Sequence, residues 1–393
     1  MKSLRIANFV IEKLKKNNYE AYYVGGCVRD HLLGLPINDI DITTSALPYQ
    51  VLNLFRAEPT GAKYGTVTIT DERINIEVTT FRTEEGYADF RRPDTVQFTV
   101  DVLEDLKRRD FTINGLIMDE RNKIYDYVDG LKDLKAKVIR AIGDANERFN
   151  EDALRLLRAI YFQAKLGFEI EEETFLKMKE NAHLITHLPN ERIHSEMLKI
   201  LKSKHQVKAI KSLRAANLHK YIPGFEKGIE YITDNIDFHL YNDAFFSLVF
   251  SLNKGVPKEW KFSNLQLNRY QKVVKLVNDE AIIDDFVLFE YGLEISVLAN
   301  RVLFLLNKQQ PRKNEIEKMF LELSIKSITD LNIRGSDILK LTDKKQGAWL
   351  KKILDELIYL VLSKKLKNKH EDLINYCKER LDEKWFLLLF RWV

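Results

Sequence analysis

The stretch "YYVGGCVRDHLLGLPINDIDITTS", Tyr22–Ser45, decides the fold of the N-terminal half of the chain. A short apolar run ends in two glycines, a helix-like segment carrying Arg29 and Asp30 follows, and "NDIDITT" then sets Asp39 and Asp41 one residue apart among strand formers. In a strand the side chains alternate faces, so Asp39 and Asp41 point one way while Ile40 and Ile42 point into a core. Two unpaired carboxylates on one face repel, and each tends to take up a proton. A divalent cation between them removes the conflict, and hard oxygen ligands suit magnesium. An edge strand with a merely solvated outer face would carry the same spacing.

The neighbours of this stretch extend the reading. Gly25 and Gly26 stand between strand and helix, where bare backbone N–H groups and a helix N-terminus could face a phosphate chain. An ordinary strand-to-helix turn would also favour glycine there. Further on, "INIEVTTF" alternates in the same way and places Glu77 on a face with Asn75 and Thr79. Glu77 is then either a third carboxylate completing a two-metal cluster or a surface strand residue.

The rest of the chain bounds the answer. With 393 residues it is too long for one ordinary core, and two or more domains are expected. Its 62 basic and 58 acidic residues leave a net charge of +4, so any basic function must come from a local patch. Cys27 and Cys377 cannot build a disulfide framework or a zinc site alone, which fits a reducing, cytoplasmic setting. The first twenty residues, with Leu4, Phe9, Val10 and Leu14 broken up by Lys and Glu, read as an amphipathic helix rather than a signal peptide, and no apolar run is long enough for a membrane span. Between Tyr22 and Ile139 the runs "GTVTIT", "INIEVTTF", "TVQFTV" and "NKIYDYV" predict further strands, so this part is an α/β or α+β domain. Beyond Asn146 the periodicity is helical, with Pro189, Pro223 and Pro257 as natural helix ends.

Taken in order, these pieces resemble the nucleotidyltransferase head typified by DNA polymerase β, and more closely the class II tRNA nucleotidyltransferases, the bacterial CCA-adding enzymes. "VGGCVRDHLLGLPINDIDITT" resembles the first family motif, with Gly25, Gly26, Arg29, Asp39 and Asp41 in place. "EDLKRRDFTINGL", Glu104–Leu116, resembles the second, where Arg109, Asp110 and Asn114 stand where the family holds ribose and triphosphate. "YDYVDGLKDL", "EDALRLLR" and "NERIHSEMLKIL" resemble the third, fourth and fifth, and "IRGSDILKLTDKKQGAWLKKILDELIYLVLSKKLKNK" is similar to the tail of bacterial members. From about Lys202 to Ile325 the likeness is compositional only. The resemblance implies an α+β fold: a catalytic head with a mixed sheet and helices over 1–139, a helical neck over 140–203, a body over 204–325 and a tail over 326–393. It implies Asp39, Asp41 and Glu77 as catalytic carboxylates, with Asp39 and Asp41 as ligands of Mg²⁺. Nucleotide binding falls to Gly25, Gly26, Arg29, Arg109, Asp110, Asn114, Asp152, Arg155 and Arg158. CTP, ATP and the 3′ end and acceptor/TΨC region of tRNA are the implied partners, with basic clusters such as Lys344–Lys345, Lys351–Lys352 and Lys364–Lys369 as candidate RNA contacts.

The fourth motif can also be argued from spacing. On one helix Glu151 and Arg155 are i and i+4, and Asp152 and Arg155 are i and i+3, so a guanidinium and a carboxylate share a face. A routine helix ion pair has the same spacing. The resemblance assigns Asp152 and Arg155 instead to reading cytosine and adenine, both of which carry an exocyclic amine that Asp can accept. "TGAKYGTVTI" is closer to the tRNA enzymes than to poly(A) polymerases, which usually carry a basic-aromatic run there. The turn-rich segment Arg82–Phe98 resembles the flexible loop that CC-only enzymes shorten or lack. A-only addition stays open, as does an RNA-binding protein that retains the head fold, although such a protein would be expected to lose its metal carboxylates first. Gly115 stands where the family usually has Ala.

Overall fold

The computed structural model describes residues 2–37, 39–71, 74–86 and 95–381. It opens with α1 (Lys2–Lys16), β1 (Ala21–Val24), α2 (Gly26–Leu32), β2 (Ile40–Thr44), α3 (Pro48–Leu54), β3 (Ala57–Gly61), β4 (Thr66–Asp71) and β5 (Ile74–Thr80). Next come β6 (Arg82–Glu85), β7 (Thr95–Phe98), α4 (Val102–Lys107), β8 (Ile117–Met118), β9 (Ile124–Tyr125), α5 (Gly130–Ala136) and β10 (Val138–Ile139). Seven of these strands form one mixed sheet, as the resemblance implies, in the order β3-β4-β5-β2-β1-β8-β9. Its central pair, β2 with β5, is parallel and places Asp41 directly across from Glu77. Ile40, Ile42, Ile76 and Val78 on these two strands are buried, so the apolar set of each fixes which face the carboxylates occupy.

Several elements differ from the sequence reading. The strand β2 begins at Ile40, so Asp39 lies just before it and is exposed. The strand β3 carries no apolar alternation because "AEPTG" is an edge strand with a proline, where burial demands nothing of the side chains. The segment Arg82–Phe98 is not open loop throughout. Its two ends pair as the antiparallel strands β6 and β7, apart from the main sheet, and residues 87–94 between them lie outside the described residues. In α1, Val10 and Leu14 enter the core as expected, but Phe9 is exposed.

The helical part begins with α6 (Ala145–Glu151), α7 (Leu154–Leu166), β11 (Glu169–Ile170), α8 (Glu172–Glu180), α9 (Asn190–Lys202), α10 (Gln206–Ala215) and α11 (Glu226–Asn235). One unbroken helix from Glu151 was expected. Instead the chain breaks at Asp152, which is extended, and its side chain accepts from Leu154 N at the start of α7. That local bond offers the backbone an alternative to the helix.

Two compact units result, Met1–Asn242 with Glu259–Lys261, and Asp243–Lys258 with Phe262–Val393. The second contains α12 (Asn242–Leu252) from its second residue, α13 (Asn264–Asn278), α14 (Asp285–Leu305), α15 (Lys313–Glu322), α16 (Gly335–Leu339), α17 (Ala348–Leu362) and α18 (His370–Leu381). Phe246, Phe250, Phe262 and Tyr270 pack ring against ring in it, and Ile316, Ile338, Leu357 and Leu373 form another core cluster. Gly292, at φ 77°, breaks α14.

A tight contact holds α5 to the turn that carries Asp110 and Asn114. Thr112 Oγ1 donates to Asp133 Oδ2 at 2.7 Å, and a Cβ on Gly130 would lie 2.4 Å from the Thr112 carbonyl oxygen. Gly130→Ala is therefore expected to destabilise the protein by about 1–3 kcal/mol. Gly255→Ala, whose Cβ would meet open space, is expected to stay within about 0.5 kcal/mol of the parent. Unfolding midpoints measure both, and equal midpoints for the two variants would contradict the packing described.

Candidate active site

In the first unit a cleft of about 450 Å³ is lined by Gly25, Gly26, Arg29 and Asp30 from the β1–α2 turn, and by Asp39 and Asp41 from β2 and the residue before it. Arg108, Arg109, Asp110 and Asn114 enter from the segment after α4, Asp152 from the break before α7, and Arg155, Arg158, Tyr161, Phe162 and Lys165 from α7 itself. All the residues expected to bind nucleotide are thus brought together with Asp39 and Asp41. Glu77 is not among the lining residues. It is exposed on β5, opposite Asp41 in register. Among the described residues, no three His, Cys, Asp or Glu side chains form a group ready to hold a metal ion.

The electrostatics of Asp41 reflect the crowding foreseen in the sequence. Burial first, and then the charge of Glu77, push its carboxyl up to about 6 against the pull of Arg109. Gly25 is called for by its backbone conformation rather than by lack of space. At φ 75° it occupies the left-handed region, and a Cβ there would sit 3.6 Å from Arg109 Nη1 and 3.7 Å from Asp41 Oδ2.

Arg109 is held by a buried acid. Asp105 accepts from Arg109 Nη2 at 3.1 Å, from Arg108 Nε and Nη2 at 2.9 and 2.7 Å, and from Thr43 Oγ1 at 3.1 Å. Burial would raise the Asp105 carboxyl, but Arg109 and Arg108 override it and hold it below the usual range. Arg109 Nε is buried without a hydrogen-bond partner, a donor left for a ligand in the cleft. Arg108 is also tied to the β6 strand, where Glu84 accepts from its Nη1 at 3.1 Å.

The opposite side of the cleft is a relay of alternating charge. Lys165 Nζ donates to Asp30 Oδ2 at 2.8 Å, and Arg29 donates to Asp30 Oδ1 through Nε at 2.9 Å and Nη2 at 2.7 Å. Arg29 Nη1 reaches Asn114 Oδ1, Asn114 Nδ2 donates to Asp110 Oδ1 at 3.0 Å, and Arg158 closes on Asp110 Oδ2 through Nε at 2.7 Å and Nη2 at 2.5 Å. Burial works against ionisation of Asp110, yet Arg158 and Asn114 keep it well below the ordinary carboxylate range. The guanidinium groups of Arg29 and Arg158 each lie 5.1 Å from the centre of the Phe162 ring.

Asp152 and Arg155 line the cleft but do not pair with each other. Asp152 is engaged by Arg192 of α9, with Nη1 to Oδ1 at 3.3 Å and Nη2 to Oδ2 at 3.2 Å. Arg155 donates to Glu151 Oε2 at 2.5 Å and to the carbonyls of Arg148 at 2.8 Å and Arg108 at 2.5 Å. The joint fork expected from helical spacing is replaced by two separately held groups, because the helix breaks between them.

Sequence reasoning did not assign Asp30, Arg108, Tyr161, Phe162, Lys165 and Arg192 to the site. A signal existed for the α7 members. Arg155, Arg158, Phe162 and Lys165 fall at i, i+3, i+7 and i+10, one helix face, and this face carries three cations around an aromatic ring.

Family models match most of the chain: "Poly A polymerase head domain" over residues 21–140, "Probable RNA and SrmB- binding site of polymerase A" over 167–229 and "tRNA nucleotidyltransferase domain 2 putative" over 244–377. The chain is 38% identical to the CCA-adding enzyme of Ligilactobacillus salivarius over 391 residues, covering 95% of this chain and 96% of that one. It is 36% identical to the CCA-adding enzyme of Bacillus cytotoxicus over 393 residues, with 96% and 99% covered. The solved Bacillus stearothermophilus CCA-adding enzyme in complex with CTP superposes with a TM-score of 0.79 at 31% identity, covering 95% of this chain and 96% of that one. A likeness of this extent, running through head and helical parts alike, makes the chain a member of the family of CCA-adding enzymes, the tRNA nucleotidyltransferases.

Proposed function

We propose that the protein completes the 3′ end of tRNA by adding C, C and A from CTP and ATP without a nucleic-acid template, releasing pyrophosphate at each step. The observation that carries this reading is the cleft itself, which sets Asp39 and Asp41 beside the cations Arg29, Arg109, Arg158 and Lys165 in a space of about 450 Å³. The names of the relatives, and the CTP complex of the solved neighbour, support the same reading.

The residues fit a divalent ion such as Mg²⁺. Asp41 and Asp39 offer hard oxygen donors, Glu77 stands across the parallel pair, and the Asp41 carboxyl, raised first by burial and then by the charge of Glu77, is one whose ionised form a cation would favour. When bound, such an ion would lower the pKa of the attacking 3′-hydroxyl and neutralise charge on the leaving pyrophosphate. Arg109, through its unpartnered Nε, and Arg29 bind the triphosphate, and the Gly25–Gly26 backbone approaches it closely. Asp110, Asn114 and Arg158 hold the ribose in the fixed geometry of their relay. Asp152 and Arg155 select the base. Reading a base edge requires Arg155 to exchange its bonds to the carbonyls of Arg148 and Arg108 for bonds to the base, which couples selection to movement at the α6–α7 break. The segment Arg82–Phe98 is tied to the same region through Glu84 and Arg108, and it serves the change from C to A. The helical neck, body and tail carry tRNA, with the exposed lysines Lys344–Lys345, Lys351–Lys352 and Lys364, Lys365, Lys367 and Lys369 meeting its acceptor and TΨC backbone.

Asp41→Asn is expected to lower nucleotide transfer by about 10³-fold with tRNA affinity nearly unchanged, since transition-state charge is lost and backbone contacts are not. Its stability should move the other way. The folded Asp41 carboxyl is raised from 3.8 to about 6, so its protonation stabilises the fold below 3.8 and that contribution is lost as pH rises through about 6. In chelator-treated protein Asp41→Asn should therefore be more stable than the parent at pH 7.5, by at most about 3 kcal/mol, with the difference vanishing near pH 4. Parent-like turnover, or a stability difference independent of pH, would contradict the assignment.

Arg155→Ala should reduce the preference for CTP and ATP over UTP and GTP by about 10-fold or more in kcat/KM, as well as slowing the reaction. Equal slowing of all four nucleotides would place base reading on other residues.

A further inference from the structure

A second cleft of about 510 Å³ lies in the same unit and shares no lining residue with the first. Its walls come from α8, α10, the short turn 218–221 and α11, and they present Lys179, Lys211, Arg214 and Lys220 against one carboxylate, Glu230. The side chains of Lys179, Lys211 and Lys220 make no hydrogen bond or ion pair with any described residue, while Arg214 donates to Thr233 Oγ1 at 2.7 Å and pairs with Asp234. In the wall sits His219, only 2% exposed, with Nδ1 and Nε2 both lacking a hydrogen-bond partner.

A buried imidazole with two unsatisfied nitrogens costs about 1–3 kcal/mol for each group left unpaired, so a native fold that keeps one calls for a ligand or solvent partner. Glu230 Oε1 is 3.8 Å from Nε2, too far to serve. The charges decide the sign of the partner. A metal cation would find one imidazole and one carboxylate but four neighbouring positive charges, whereas an oxyanion meets those charges favourably and accepts from the imidazole N–H. Water could satisfy the ring but would leave the cations unbalanced. Glu226 adds negative charge near the ring at the start of α11, and Lys220 and Arg214 oppose it.

We propose that this cleft, built around His219 with Lys179, Lys211, Arg214 and Lys220, is a second phosphate-binding site, separate from the nucleotide cleft. The phosphoryl group it takes is either free phosphate or a phosphodiester of bound RNA. The first alternative is independent of the function proposed above, and only the second rests on it.

The test follows the His219 ring by NMR in full-length protein labelled at histidine, with the signal assigned by its loss in His219→Gln. Inorganic phosphate added at constant ionic strength against chloride should shift the His219 ring saturably, with a Kd of about 1 mM. Lys211→Gln with Lys220→Gln should weaken that binding at least about 10-fold. Both lysines are exposed, so the variant should fold. A tRNA lacking its CCA end then separates the sources. If RNA supplies the phosphate, tRNA alone shifts the ring and abolishes the phosphate response. If the ligand is free phosphate, the response survives with tRNA bound. A ring that responds alike to phosphate and chloride, or a response unchanged in the double variant, overturns the proposal even where nucleotide transfer is normal.

Discussion

Everything in the head is arranged around a conflict between like charges. Parallel pairing of β2 with β5 sets Asp41 opposite Glu77, with Asp39 just ahead, and the apolar residues Ile40, Ile42, Ile76 and Val78 prevent either strand from slipping to relieve it. A one-residue slip would turn the carboxylates inward and the isoleucines out, which the core forbids. The protein therefore holds concentrated negative charge at a fixed point, and Arg109 offsets part of it without cancelling it.

That offset depends on further buried acids that hold the cations in place. Asp105 is fully buried and fixes both Arg108 and Arg109, while Asp110 fixes Arg158 and, through Asn114, Arg29. A buried carboxylate bound to arginine contributes little net stability compared with an apolar replacement, but it removes rotamer freedom from the guanidinium groups. The cleft thus has its cations already in place. The relay from Lys165 to Arg158 runs between α7 and the head, so the helix that carries Arg155 is positioned by these charges.

Much of this was legible in the residues, and the exceptions have physical causes. The period-two runs at Ile40–Thr44 and Ile74–Thr80 marked strands because one face of each is buried. The spacing of Asp39 and Asp41 marked a charge problem, but the Asp41 carboxyl is raised first by burial and then by Glu77 across the sheet, with Asp39 adding less. The edge strand β3 was not readable because burial does not constrain it, and the pairing of β6 with β7 lay hidden in a segment rich in turn residues. The break at Asp152 arises from a side-chain bond to Leu154 N that helical spacing does not anticipate. Arg192 escaped notice because its partner lies 40 positions away, a separation that no local pattern reports. The replacement of Ala by Gly at position 115 gains a reason only in three dimensions, since a Cβ there would lie 2.7 Å from Val128 Cγ2.

The central claim is that one cleft transfers both C and A to the 3′ end of tRNA. The most direct measurement incubates the purified protein with tRNA ending at the discriminator base, together with Mg²⁺ and CTP alone, ATP alone or both, and resolves the products to single nucleotides. Two added residues with CTP, and three with both nucleotides, are the predicted result. No incorporation from CTP under any condition, with A added only to tRNA already ending in CC, would contradict it.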